Sequence, residues 1–146
     1  MTRFLYGARL WNEIRKYTKA ASRVKAAVAY VTEATPLNLT GDDILVVDAT
    51  DAAISGGRTS AKQLATLVKL GVLVYSHGGL HAKIVIAGSV LFASSANSSD
   101  ASVNKLFEAG LAVDSPNAVS DAAGMIQTLV EHSDLFHRLA SDERET

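Results

Sequence analysis

Apolar positions along the chain change period several times, and each change marks an element. Leu10, Trp11, Ile14 and Tyr17 recur at helical spacing, which predicts an amphipathic helix over about residues 7–20. The run VKAAVAYV at residues 24–31 is short and almost wholly apolar, as expected of a buried strand. ILVV at residues 44–47 predicts another strand, after the turn residues Gly41, Asp42 and Asp43. SGGRTS at residues 55–60 reads as a loop. Thr59 or Ser60 can cap the helix that carries Leu64, Leu67, Val68 and Leu70, and Gly71 can end it. Residues 72–75 predict the next strand, and residues 81–87 and 89–95 predict a hairpin turning near Gly88. A loop rich in Ser and Asn follows. Residues 106–113 predict a further strand, and residues 118–140 a long helix interrupted at Gly124, with a frayed tail over 141–146.

Strands alternate with helices early and then cluster. That order predicts an α/β fold, a mixed sheet flanked by helices in a layered sandwich, within one domain over residues 1–146. The 146 residues suit one full-size core, and 48% apolar against 20% charged residues is an ordinary globular balance. There are no cysteines, so disulfides and thiolate metal sites are excluded. No leader-like apolar core opens the chain, and residues 84–96 are too few to span a bilayer, so a cytoplasmic protein without membrane contact is expected.

A net charge of −1 does not announce a nucleic-acid binder, but its distribution is uneven. Arg3, Arg9, Arg15, Lys16, Lys19, Arg23 and Lys25 are opposed only by Glu13 in the first 25 residues, whereas the end of the chain is acidic. Such asymmetry suits a surface for a polyanion, although a solvated helix face explains any one of these charges.

The predicted hairpin raises a chemical question, because polar residues sit at its open end. Residues two apart on a strand share a face, so His81 pairs with Lys83, and Ser95 with Asn97. A turn near Gly88 would bring the two pairs together. An imidazole, a fixed cation, a hydroxyl and a carboxamide suit an anionic, tetrahedral phosphoryl group. Glu108 interrupts the apolar LFEAGLAV and needs a partner, and an imidazole N–H would serve. Arg58 in SGGRTS could add a phosphate contact.

The ordered set resembles the phospholipase D superfamily, whose signature reads H-x-K, four residues, D, then G-S/S-S-x-N and a later Glu. His81, Lys83, Ser95, Asn97 and Glu108 match it in order over roughly 35 residues. The signature's Asp falls at Gly88 and the first Gly of its G-S pair at Ser94. The resemblance implies a metal-independent phosphodiesterase, without cofactor. One histidine attacks phosphorus and a second protonates the leaving group. The chain has a single H-x-K, so the resemblance implies a homodimer sharing one site across a two-fold axis. It further implies a nuclease, on DNA ahead of RNA, with a larger defence or restriction complex as a further partner. His81, Lys83, Asn97 and Glu108 would then be catalytic, and Ser95 and Arg58 would bind substrate. A phospholipid phosphodiesterase, or a dimeric nucleic-acid-binding module with little or no turnover, remains the alternative. His77 and His81 are separated by Gly78 and Gly79 and do not make a zinc pair. His132 and His137 read as surface residues of the last helix, and Trp11 as a core or interface anchor.

Overall fold

The computed structural model describes residues 1–136, and one eight-stranded mixed sheet organises them. In chain order the elements are β1 (Thr2–Tyr6), α1 (Ala8–Ala20), β2 (Val24–Val28), β3 (Ile44–Val47), α2 (Asp51–Ser55), α3 (Ala61–Lys69) and β4 (Leu73–Ser76). Then come β5 (Lys83–Ala87), β6 (Val90–Ser94), a π-helical turn (Ala101–Lys105), β7 (Ala109–Val113), α4 (Pro116–Glu131) and β8 (Asp134–Leu135). Spatial order is β1-β7-β6-β5-β2-β3-β4-β8. β2, β3 and β4 are parallel, and every other neighbouring pair is antiparallel. The predicted α/β layered architecture is observed.

Each face of the sheet has its own core. Leu10, Trp11 and Ile14 of α1 and Leu64 and Leu67 of α3 cover Leu5, Val28, Val47, Val85 and Phe92 on one side. Ile126 and its neighbours on α4 cover Ala27, Val46, Ile86 and Leu91 on the other. Trp11 is a core residue. Ser60 caps α3 by accepting the Gln63 amide, while Thr59 donates its hydroxyl to the Asp48 carbonyl. Gly110 of β7 lies so close to β6 that a Cβ there would meet Ser94 at 2.5 Å, so only glycine fits that pairing.

Several boundaries differ from the sequence reading. β2 stops at Val28, and Val31 makes only an isolated bridge to Ser98. β5 and β6 are shorter than predicted, so His81 precedes β5 and Ser95 follows β6. β7 begins at Ala109 rather than 106, leaving Leu106 and Phe107 in an exposed approach. The last helix starts at Pro116 with a Ser115 cap, passes Gly124 without a break and ends at Glu131. The apolar period runs on through Leu135 and Phe136, but β4 captures that segment: Tyr75 pairs with Leu135 and Ser76 with Asp134. His132 is an exposed helix-end residue, while His137 and the predicted tail lie outside the described residues. β1 was not predicted at all, because only one of its five side chains is buried.

A candidate phosphoryl-transfer site at one end of the sheet

Antiparallel pairing brings the end of β2, the start of β5, the end of β6 and the start of β7 to one end of the sheet. The predicted residues gather there. His81 is exposed and lies just before β5, where the Ala82 carbonyl accepts the Ala29 amide at 2.9 Å. Lys83 opens β5 opposite Val28. Its Nζ lies 3.4 Å from both ring nitrogens of His81, so neither nitrogen is its dedicated partner. Lys83 has no carboxylate partner among the described residues.

Asn97 is fixed from both sides. Its Oδ1 accepts the Tyr30 amide at 3.2 Å, and its own amide donates to Ser102 Oγ at 3.1 Å. The Nδ2 protons have no partner among the described residues, so the carboxamide keeps a donor for an anion. Tyr30, which the sequence reading passed over, joins the group. Its ring meets the His81 ring edge-on at 6.4 Å, and its hydroxyl accepts from Arg58 at 3.3 Å. The Arg58 guanidinium also lies 5.3 Å from the centre of the Tyr30 ring, a cation–π distance. SGGRTS therefore brings Arg58 to the rim of the site, two side chains from His81.

Glu108 has other partners than the expected imidazole. Ser95 Oγ donates to its Oε1 at 3.0 Å, and Ser102 Oγ donates to its Oε2 at 2.7 Å. The cause is strand order. β6 lies between β5 and β7, so His81 and Glu108 are two strand spacings apart, about 10 Å. Ser95 fills the gap, and it also accepts the Ala109 amide at 3.1 Å, so its hydroxyl is committed to the protein. Glu108 reaches the rest of the site through Ser102, which holds the backbone of Asn97. The hydroxyls solve the cost of a buried carboxylate without a counter-charge.

Asp48, also missed, braces the approach to His81. It stands at the end of β3 and is buried. Its Oδ1 accepts the Thr50 amide at 3.1 Å and the Thr50 hydroxyl at 2.7 Å, and its Oδ2 accepts the Gly79 amide at 3.3 Å. Burial would raise the carboxyl's pKa. The Thr50 and Gly79 donors and the Arg58 charge outweigh it and hold the group below its ordinary value. On the same approach, His77 Nδ1 lies 3.1 Å from Ser133 Oγ, tying the loop to the end of α4. An acidic residue at the carboxyl end of a parallel strand was the available signal for Asp48. Tyr30 and Ser102 carried none beyond their neighbourhood. Among the described residues no cluster of three His, Asp or Glu side chains could hold a metal ion.

No family model matches the sequence, and no curated protein matches it. Solved structures do match. NucT from Helicobacter pylori superposes with a TM-score of 0.72 at 15% identity, over 92% of this chain and 99% of that one. Nuc from Salmonella typhimurium, a phospholipase D family member, superposes with a TM-score of 0.75 at 14% identity, over 92% and 97%. The fold is that of the phospholipase D superfamily. The phosphatidylserine synthase of Haemophilus influenzae shares it with a TM-score of 0.68 at 11% identity, over 88% of this chain but 36% of that one. Lys83 opens β5 at one end of the sheet, with His81 on the loop just before β5 and Asn97 on the loop just after β6. No helix among the described residues is long and apolar enough to cross a membrane.

Proposed function

We propose that the chain is a phosphodiesterase of the phospholipase D kind that cleaves nucleic acid, DNA in preference to RNA, at a site shared by two copies. The observation that carries this reading is the convergence of His81, Lys83 and Asn97 on one sheet end, with two nitrogen donors unclaimed by carboxylates. The Lys83 ammonium and the Asn97 Nδ2 hold the non-bridging phosphate oxygens. A His81 imidazole attacks phosphorus. A P–N bond forms as the P–O bond to the leaving group breaks, and the imidazolium of His81 of the partner subunit gives its proton to the departing oxygen. Water then attacks the phosphohistidine and gives its proton to that partner imidazole, and the P–N bond breaks. Glu108 is a positioning residue, acting on Asn97 through Ser102. Arg58, steadied on Tyr30, contacts a neighbouring phosphate.

The size match supports nucleic acid over lipid. This chain spans nearly the whole of the two short Nuc-type chains and about a third of the phosphatidylserine synthase. The test is a parallel assay on DNA, RNA and a lipid phosphodiester in excess EDTA. DNA cleavage at an undiminished rate is expected, because Lys83 and Asn97 take the place of a divalent ion. Loss of cleavage on chelation, restored by magnesium, contradicts the mechanism. DNA binding without turnover supports the non-enzymatic alternative instead.

A further inference from the structure

At the turn end of the β5–β6 hairpin, the face under α4 breaks its apolar pattern. Lys25 shares a face of β2 with Ala27, which is buried under α4. Its cross-strand neighbours are Ile86 of that core and Ile44, which packs against it. A lysine in such a row gives up apolar contact and must keep its ammonium hydrated or paired. An inward-pointing charge can protect the edge of a sheet, but β2 lies inside this one, between β5 and β3. Neither Lys25 nor Arg23, two residues earlier, has a carboxylate within ion-pair distance among the described residues.

The two cations line one cleft of about 240 Å³, with Ile86 and Gly88 on the sheet side and Val119 and Ala123 of α4 on the other. No carboxylate lines it among the described residues. Gly88 donates its amide to the Arg23 carbonyl at 3.1 Å and brings no side chain. The phospholipase D signature has its Asp at this position. The acid that this chain lacks is therefore one that would stand at the rim of the cleft, beside Arg23. Gly88 lies five residues along from Lys83, about 17 Å, so the cleft is separate from the candidate phosphoryl-transfer site.

We propose that this cleft binds a phosphomonoester, a dianionic phosphate carried on a short apolar or planar body. Charge selects the head group. Two cations without an acid match a dianion, whereas a carboxylate would answer only one of them. The Arg23 guanidinium can take two phosphate oxygens through parallel N–H bonds, and the Lys25 ammonium a third. Ile86, Val119 and Ala123 offer the body an apolar seat. The cleft is smaller than the roughly 300–1,000 Å³ of drug-sized sites, which limits that body to about one ring. The nuclease reading is not needed for this site. Two sources carry such a group, the end of a nucleic-acid strand and a small free ester.

The test is titration calorimetry on the full chain carrying Lys83→Ala, which weakens phosphate binding at the candidate phosphoryl-transfer site and leaves the cleft intact. Phenyl phosphate is expected to bind saturably, one per chain. Inorganic phosphate should bind roughly tenfold more weakly for want of the ring, and phenol not at all. Adding Lys25→Met keeps the apolar row filled and should raise the dissociation constant for phenyl phosphate by roughly tenfold or more, as for the loss of one charge-assisted contact. Gly88→Asp should act in the same direction by placing a carboxylate at the rim. Amide NMR shifts on titration should centre on Lys25, Gly88 and Val119. A 5′-phosphorylated dinucleotide separates the two sources: Lys25-dependent binding tighter than that of phenyl phosphate assigns a strand end, weaker binding assigns a small free ester, and either supports the site. Absence of saturable binding, equal affinity in either variant, or shifts confined to the surroundings of His81 would overturn it.

Discussion

At its open end the β5–β6 hairpin carries Lys83 and is followed by Ser95. At its turn it carries Gly88, five residues and about 17 Å away. The open end joins imidazole, ammonium, carboxamide and carboxylate through Tyr30 and Ser102. The turn end has a backbone purpose. Gly88 adopts φ +59°, its amide donates to the Arg23 carbonyl at 3.1 Å, and its nearest potential side-chain neighbour is Ala21 at 4.0 Å. The difference changes the weight of a sequence departure. The position at which this chain lacks the signature's Asp is the turn, remote from every polar group of the candidate site.

The largest effect is expected at Lys83. Lys83→Ala removes the ammonium that lies 3.4 Å from the His81 ring nitrogens, and a fall in turnover of about 10²–10³-fold is expected from loss of one electrostatic contact to the transition state. The melting temperature should hardly move, since no carboxylate among the described residues loses its partner. Near-wild-type rates on DNA would take Lys83 out of the site.

Asp48 sharpens the same end. Asp48→Asn keeps an acceptor for Thr50 but turns an amide donor toward the Gly79 N–H. Turnover should fall between about ten- and a hundredfold through displacement of His81, with stability lowered by about 1–3 kcal/mol for the unmatched buried group. The pH dependence follows from the lowered carboxyl. Its stabilisation is complete above the unfolded value near 4 and is lost as pH falls through the lower folded value. Acid melting curves of wild type should therefore show a component below about pH 4 that Asp48→Asn lacks. Identical acid profiles would leave Asp48 without this part.

The smallest effect belongs to the turn. Gly88→Asp restores the signature residue in a left-handed conformation that Asp tolerates, with room for its Cβ. It should cost about 1 kcal/mol or less and leave turnover within about twofold of wild type. A tenfold gain in rate would tie the turn to the chemistry and erase the contrast between the two ends.

The central strands were legible because their apolar runs are buried on both faces, and α1 and α3 because their helical periods and caps agree with their packing. β1 was not, because one side of it faces solvent with Phe4 and Tyr6, and an aromatic edge strand has no strong pattern of its own. The end of α4 was misread because its apolar period continues into β8, where pairing with β4 decides the outcome. His81, Lys83, Asn97 and Glu108 were found from their order, and Arg58 from its loop. The Glu108 hydroxyl network was not, because spacing along the chain does not reveal that Ser95 and Ser102 take up both carboxylate oxygens of Glu108. Tyr30 looked like one more residue of a buried strand, although the chain leaves the sheet at Val28 and turns its ring toward His81.

A purified heterodimer shows whether two copies share one site. One copy carries His81→Ala and the other is wild type, with different tags so that both homodimers can be removed. One imidazole must attack and another must protonate, so this heterodimer should have almost no activity on DNA. In an untagged equal mixture with random pairing, about a quarter of the dimers carry both histidines, and activity should fall to roughly that fraction. A heterodimer that retains half of the wild-type rate, or a wild-type chain that is fully active as a monomer, would contradict a site shared by two copies.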